Sequence, residues 1–180
     1  MANVQRCEIP LSATLLTAQE QDAYADCYST DIRGSVSLAE FVEAFYTTSL
    51  FKVERKLLAW FAGKPATDDD AARLGAGTAS SFSAWKVESR SNEQLLLADF
   101  TGRTKSWLMS AAVGNSQTGE CTRLYFGSAV ISKPSSSPGA PRMGAVFHAL
   151  LGFHKLYSRL LLQAARSKIL ASQATRSTST

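Results

Sequence analysis

The sequence predicts an α+β domain in which an antiparallel sheet packs against one long C-terminal helix. Three observations carry this. Between about 81 and 131 the apolar residues recur at a period of two, broken by short turn signals. From Met143 to about Ile169 they recur at three- and four-residue steps, the spacing of one helix face. Ahead of the alternating region stand a single candidate strand and two helical stretches with N-cap signals.

Residues 1–22 have weak periodicity and are expected to form a loosely ordered N-terminal segment, with a short strand around Gln5–Ile9. A single domain follows at 23–170. Its first strand is expected at Ala23–Ile32, where Tyr24, Asp26, Tyr28 and Thr30 alternate with smaller residues before Gly34. Ser37-Leu-Ala-Glu40 is a capping box, and Leu38, Phe41, Val42 and Phe45 continue it as an amphipathic helix. Thr47-Thr48-Ser49 offers a second N-cap. The helix after it turns Leu50, Val53, Leu57, Leu58 and Phe61 inward and Lys52, Arg55 and Lys56 outward, and ends at Gly63 and Pro65.

Thr67 and Asp68–Asp70 open a brief helical turn that stops at Gly75. Carboxylates in a first helical turn face its positive end, and this capping role is favoured over metal binding. Gly75-Ala-Gly77 lacks the preceding strand and third glycine of a dinucleotide fingerprint. Gly63-Lys64 lacks the upstream glycine of a P-loop. No metal site and no cofactor is predicted.

Strands are expected at about 81–89, 93–100, 104–113 and 121–131. Turns fall at Ser91-Asn92, Thr101-Gly102-Arg103 and from Gly114. Connections this short imply an antiparallel meander. Ser132–Arg142, with three prolines among serines, leads into the last helix. That helix places Met143, Val146, Phe147, Leu150, Phe153, Tyr157, Leu161 and Ala164 on one face. His148, Lys155, Arg159, Gln163 and Arg166 fall on the other. Residues 171–180 are small and polar and are expected to be a disordered tail.

Charge is uneven. The first 120 residues hold eleven basic and fifteen acidic side chains, a net −4, and the last sixty hold eight basic and no acidic ones, +8. The basic residues are sparse and no nucleic-acid motif accompanies them, so nucleic acid is not an expected partner. An acidic partner for Lys155, Arg159 and Arg166 is a possible use of the basic face. No apolar run reaches the ~18 residues of a membrane helix, and without a basic region, apolar core and cleavage site near Met1 no secretory signal is expected. Cys7, Cys27 and Cys121 are far apart and odd in number, which suggests reduced thiols and a cytoplasmic protein.

Three stretches carry a family resemblance: Glu93-Gln-Leu-Leu-Leu-Ala-Asp99, Lys105-Ser-Trp-Leu-Met-Ser-Ala111 and Gly152-Phe-His-Lys-Leu-Tyr-Ser-Arg-Leu160. With the order strand, two helices, antiparallel strands, long helix, the chain resembles the helix-grip superfamily of START-type lipid carriers and polyketide cyclases. Within it, the three stretches are similar to a bacterial branch of uncharacterised proteins. The order covers about residues 23–168 and the motifs far less. That branch has polar residues directly after the acid of its second meander strand. Here Phe100-Thr101-Gly102 follow Asp99, so no polar role is carried over to this turn. The resemblance implies a curved sheet gripping the C-terminal helix, with a cavity between them for an apolar or amphipathic small molecule. It leaves open catalysis in that cavity.

The candidate ligand-binding residues are Trp85, Trp107 and Tyr125 on strands, His154 and Tyr157 on the last helix, and Asp26 on the first strand. Aromatic rings give large apolar contact with one polar handle. His154, with Tyr157 or Asp26, is the best acid–base candidate if the protein is an enzyme of cyclase or dehydratase type. Each aromatic also has an ordinary reading as core, and no nucleophile is identifiable. Binding of a small molecule is the leading function. An enzyme in the same cavity and an interaction module using the basic helix face are the alternatives.

Overall fold

The computed structural model describes residues 3–17, 24–63, 65–114, 120–130 and 145–177, without the side chains at 57, 58, 61, 62 and 145–154. In chain order these form β1 (Gln5–Arg6), α1 (Thr14–Thr17), β2 (Tyr24–Arg33), α2 (Leu38–Tyr46), α3 (Ser49–Ala62) and α4 (Asp68–Ala76). They continue as β3 (Ser81–Phe82), β4 (Trp85–Arg90), β5 (Gln94–Asp99), β6 (Thr104–Ala112), β7 (Cys121–Val130) and α5 (Ala145–Ser177). One seven-stranded antiparallel sheet runs β1-β2-β7-β6-β5-β4-β3. The last strand therefore returns beside the first long one.

Helices α2 and α5 lie on one face of this sheet. α2 packs on α4, α5 and β6, and α5 on β2 and β7. We call this the inner face. Ser37 caps α2 as a full capping box with Glu40. The Thr122 hydroxyl ties the entry to α2 onto the sheet, accepting from Val36 N (3.0 Å) and donating to Gly34 O (2.8 Å). Thr67 and Asp70 form a second capping box on α4. Asp68 pairs with Arg55 at 2.8 Å and with Lys52, so two of the three predicted capping acids have structural partners. Gly75 fits the closest α2–α4 approach, since a Cβ there would lie 2.8 Å from Ala39 O.

Some boundaries differ from those expected. The strand foreseen at 81–89 is split into β3 and β4 by a tight turn in which Ser83 takes a φ of 53°. Helix α5 runs to Ser177, beyond the expected end near 169. No glycine or proline interrupts 170–177. Ser172 and Thr175 back-bond to the carbonyls four residues earlier, and Arg176 reaches Glu40 at 2.7 Å. Val53, expected inward, is exposed.

The N-terminal segment, expected to be loose, lies across the opposite, outer face. Leu15 and Ala13 are buried there against Leu96, Trp107, Met109 and Ala129. Gln94 clips it down. Its Oε1 accepts from Thr14 N (2.9 Å) and Trp107 Nε1 (3.0 Å), and its Nε2 donates to Ser12 O (3.0 Å). Among the described residues no helix is long and apolar enough to cross a membrane.

Candidate functional site

Strand alternation decides what faces the helices. Asp26 pairs in register with Ser128, Ser128 with Ser106, and Ser106 with Leu97. Directly opposed residues project to the same face. Three polar side chains thus run across the inner face in one row. The next row, Tyr28, Phe126, Leu108 and Leu95, is apolar apart from one hydroxyl and buried.

Above the polar row lies a cavity of about 160 Å³. Phe45, Phe51, Phe126, Leu161 and Trp85 give it apolar walls. Tyr46, Glu54, Thr104, Ser106, Ser128, Tyr157 and Ser158 supply polar atoms. It therefore sits between β4, β6 and β7 on one side and α2, α3 and α5 on the other. The aromatic walls support one another: Phe45 and Phe126 ring centroids are 4.7 Å apart, and Tyr46 and Phe51 meet edge to face at 4.8 Å.

Several polar groups around the cavity are paired. Tyr46 OH and Ser106 Oγ are 3.2 Å apart, and Ser128 Oγ donates to Asp26 Oδ1 at 2.7 Å. Tyr157 OH donates to the Glu54 carboxylate. Burial raises the Glu54 pKa above the usual carboxylate range, and the Tyr157 hydrogen bond offsets part of that. Burial first, and the Glu54 charge second, push the Tyr157 phenol up. Two further polar atoms, Trp85 Nε1 and Ser158 Oγ, are buried and have no hydrogen-bond partner among the described residues. Buried donors in native proteins are paired with a protein group, an ordered water or a bound molecule.

The predicted site residues divide. Trp85 and Tyr157 line the cavity. Asp26 lies on the inner face, 2% exposed, and accepts a hydrogen bond from the cavity-lining Ser128. Trp107 and Tyr125 do not line it. They sit on the outer face, with ring centroids 6.1 Å apart, in the cluster under the N-terminal segment. The reason is parity: Ser106 and Leu108 take the inner face, so Trp107 takes the other. The side chain of His154 lies outside the described residues.

Glu54 escaped the sequence reading. It stands three residues after Phe51 and four after Leu50, so it falls within the apolar stripe of α3. An acid in that stripe was the available signal. Asp99, by contrast, ends β5 and holds the turn that follows. Its carboxylate accepts from Arg103 N (2.8 Å), Thr104 N (3.2 Å) and Thr101 Oγ1 (2.7 Å).

The chain matches no protein-family model and no curated protein sequence.

Proposed function

We propose that this protein is a helix-grip binding protein that holds a small amphipathic molecule between its sheet and α5. The observation that carries the reading is a cavity with aromatic walls and two buried polar atoms left to be satisfied, Trp85 Nε1 and Ser158 Oγ. The element order and the return of β7 beside β2 are in keeping with the helix-grip arrangement.

Size narrows the ligand. A cavity of about 150 Å³ accommodates benzene, whereas pockets for drug-sized molecules span roughly 300–1,000 Å³. At about 160 Å³ this one suits a single aromatic ring or a short branched chain. Trp85 asks for an acceptor on that group. Titration with monocyclic phenols and with indole, read by tryptophan emission and native mass spectrometry, tests the reading. A one-to-one adduct is expected. Its emission change should vanish in Trp85→Phe and survive in Trp60→Phe, since Trp60 is exposed on α3. No adduct with phenols, indole or fatty acids, and unchanged emission, would overturn it.

A second reading is acid–base catalysis in the same cavity, favoured by one observation: Glu54 is a carboxyl with a raised pKa, bonded to Tyr157. Under it Glu54 would be the general acid or base. The acidic-partner reading has less to draw on. Arg166 donates to Asp31 O and Lys155 lies over the Tyr24 ring, while Arg159 is exposed.

A further inference from the structure

Cys7 and Cys27 are twenty residues apart in sequence, yet their sulfurs lie 3.4 Å apart. The β1–β2 register explains this. Gln5 faces Ser29 and Arg6 faces Tyr28, so Cys7 comes directly opposite Cys27. Its backbone N–H donates to Cys27 O at 3.0 Å. Directly opposed antiparallel residues have Cα atoms about 4.5–5.5 Å apart, inside the roughly 4.4–6.8 Å that a disulfide spans. Both thiols are free.

The two thiols differ in access and acidity. Cys27 is buried, 1% exposed, whereas Cys7 is half-buried. A groove of about 550 Å³ lined by Arg6, Cys7, Glu8, Ile9, Leu16 and Cys27 leads to them. The hydrogen bond between the two sulfurs, helped by Ser29 and the Arg123 charge and opposed by burial, lowers the Cys7 pKa to about 7. The same contact and burial push Cys27 up, so it keeps its proton. An accessible thiolate beside a protonated neighbour is the arrangement of an attacking and a resolving cysteine.

We propose that Cys7 and Cys27 form a peroxide-reactive pair whose disulfide fastens the N-terminal segment to β2. The Cys7 thiolate attacks one oxygen of hydrogen peroxide. The O–O bond breaks, and the departing hydroxide takes up a proton as water. Cys7 is left as a sulfenic acid. Cys27 sulfur then attacks Cys7 sulfur, the S–O bond breaks, and the Cys27 proton leaves with the hydroxide as a second water. Two thiols have lost two electrons and two protons, and one peroxide has been reduced to two waters.

The test uses the full reduced chain and stoichiometric hydrogen peroxide. The intact mass should fall by about 2 Da, as two hydrogens are lost. A non-reducing peptide map should join Cys7 to Cys27, with Cys121 still open to alkylation. The oxidised form should unfold at a higher denaturant midpoint, reversed by dithiothreitol. Cys27→Ala should stop at a Cys7 sulfenic acid that a 1,3-diketone traps. Cys7→Ala should slow peroxide consumption at least tenfold, by order of magnitude of the lost thiolate fraction. If either alanine variant fails to fold, its serine counterpart replaces it. A disulfide involving Cys121, a link between two chains, or no mass loss would overturn the proposal.

Discussion

The outer face of the sheet is covered by a short N-terminal segment, the inner face by helices, and the two coverings leave different things beneath them. On the outer face Trp107 is fully buried and its indole N–H is bonded to Gln94. On the inner face Trp85 is half-buried beside a cavity and its indole N–H has no partner among the described residues. The same side chain serves as core in one place and as a lining group in the other. Around Trp107 the N-terminal segment lies in close contact with the sheet, and nearer the β1–β2 edge it leaves the groove that leads to Cys7. Helices are stiff cylinders, and where α2, α3 and α5 meet over the polar row they leave a gap.

The sharpest break of this comparison is a pair of truncations. Trp107→Ala should cost about 3–5 kcal/mol, whereas Trp85→Ala, bordering existing space, should cost less than about 2. Denaturant midpoints measure both. Equal losses would mean that the inner face is packed as tightly as the outer.

Gly127 tests the outer face from the opposite direction. A Cβ there would lie 2.9 Å from both Leu15 Cδ2 and Trp107 Cε3. Gly127→Ala should therefore destabilise by about 1–3 kcal/mol through overpacking. Neighbouring Ser128→Ala, whose side chain faces the cavity, should not overpack anything. A neutral Gly127→Ala would show that the segment over it is loosely seated.

On the inner face Glu54 gives a pH signature. Its pKa is raised in the folded state by burial, so the folded chain holds a proton that the unfolded chain releases. This contribution is greatest below the unfolded value of roughly 4.3 and is lost as pH rises through the folded one. Glu54→Gln keeps an acceptor for Tyr157 and removes the titration. Denaturation between about pH 4 and neutrality should show wild type losing stability relative to the variant as pH rises. Parallel curves would contradict the placement of Glu54.

The smallest effect belongs to the outer-face pair Asp31–Arg123, joined at 2.7 and 2.9 Å with each side chain 37% exposed. A double-mutant cycle should give roughly 0.2–1 kcal/mol, and less in high salt. A larger coupling would mean that this edge is drier than its exposure indicates.

Local signals in the sequence located most elements. Ser37 with Glu40 and Thr67 with Asp70 carry their chemistry within four residues, so both helix starts could be read from the chain. The period-two region located three of the four expected meander strands to within a residue or two and ran β3 and β4 together as one. The candidate site was less legible, because it depends on which sheet face each strand turns inward. Ser106, Leu108 and Ser110 against Trp107 and Met109 present two similar sides, and nothing local breaks the tie. Registry with β7 and the Gln94 clip break it, and both are contacts between residues distant in sequence. The Cys7–Cys27 contact was hidden for the same reason.

The most direct measurement is a crystal structure of the protein soaked with a small brominated phenol, located by the anomalous signal of bromine. The account predicts one bromine peak inside the inner-face cavity, among Phe45, Phe126 and Leu161, with the phenol oxygen in hydrogen-bond reach of Trp85 or Ser158. Bromine found only on the outer surface, or nowhere, with α5 closed directly onto Ser106 and Ser128, would contradict it.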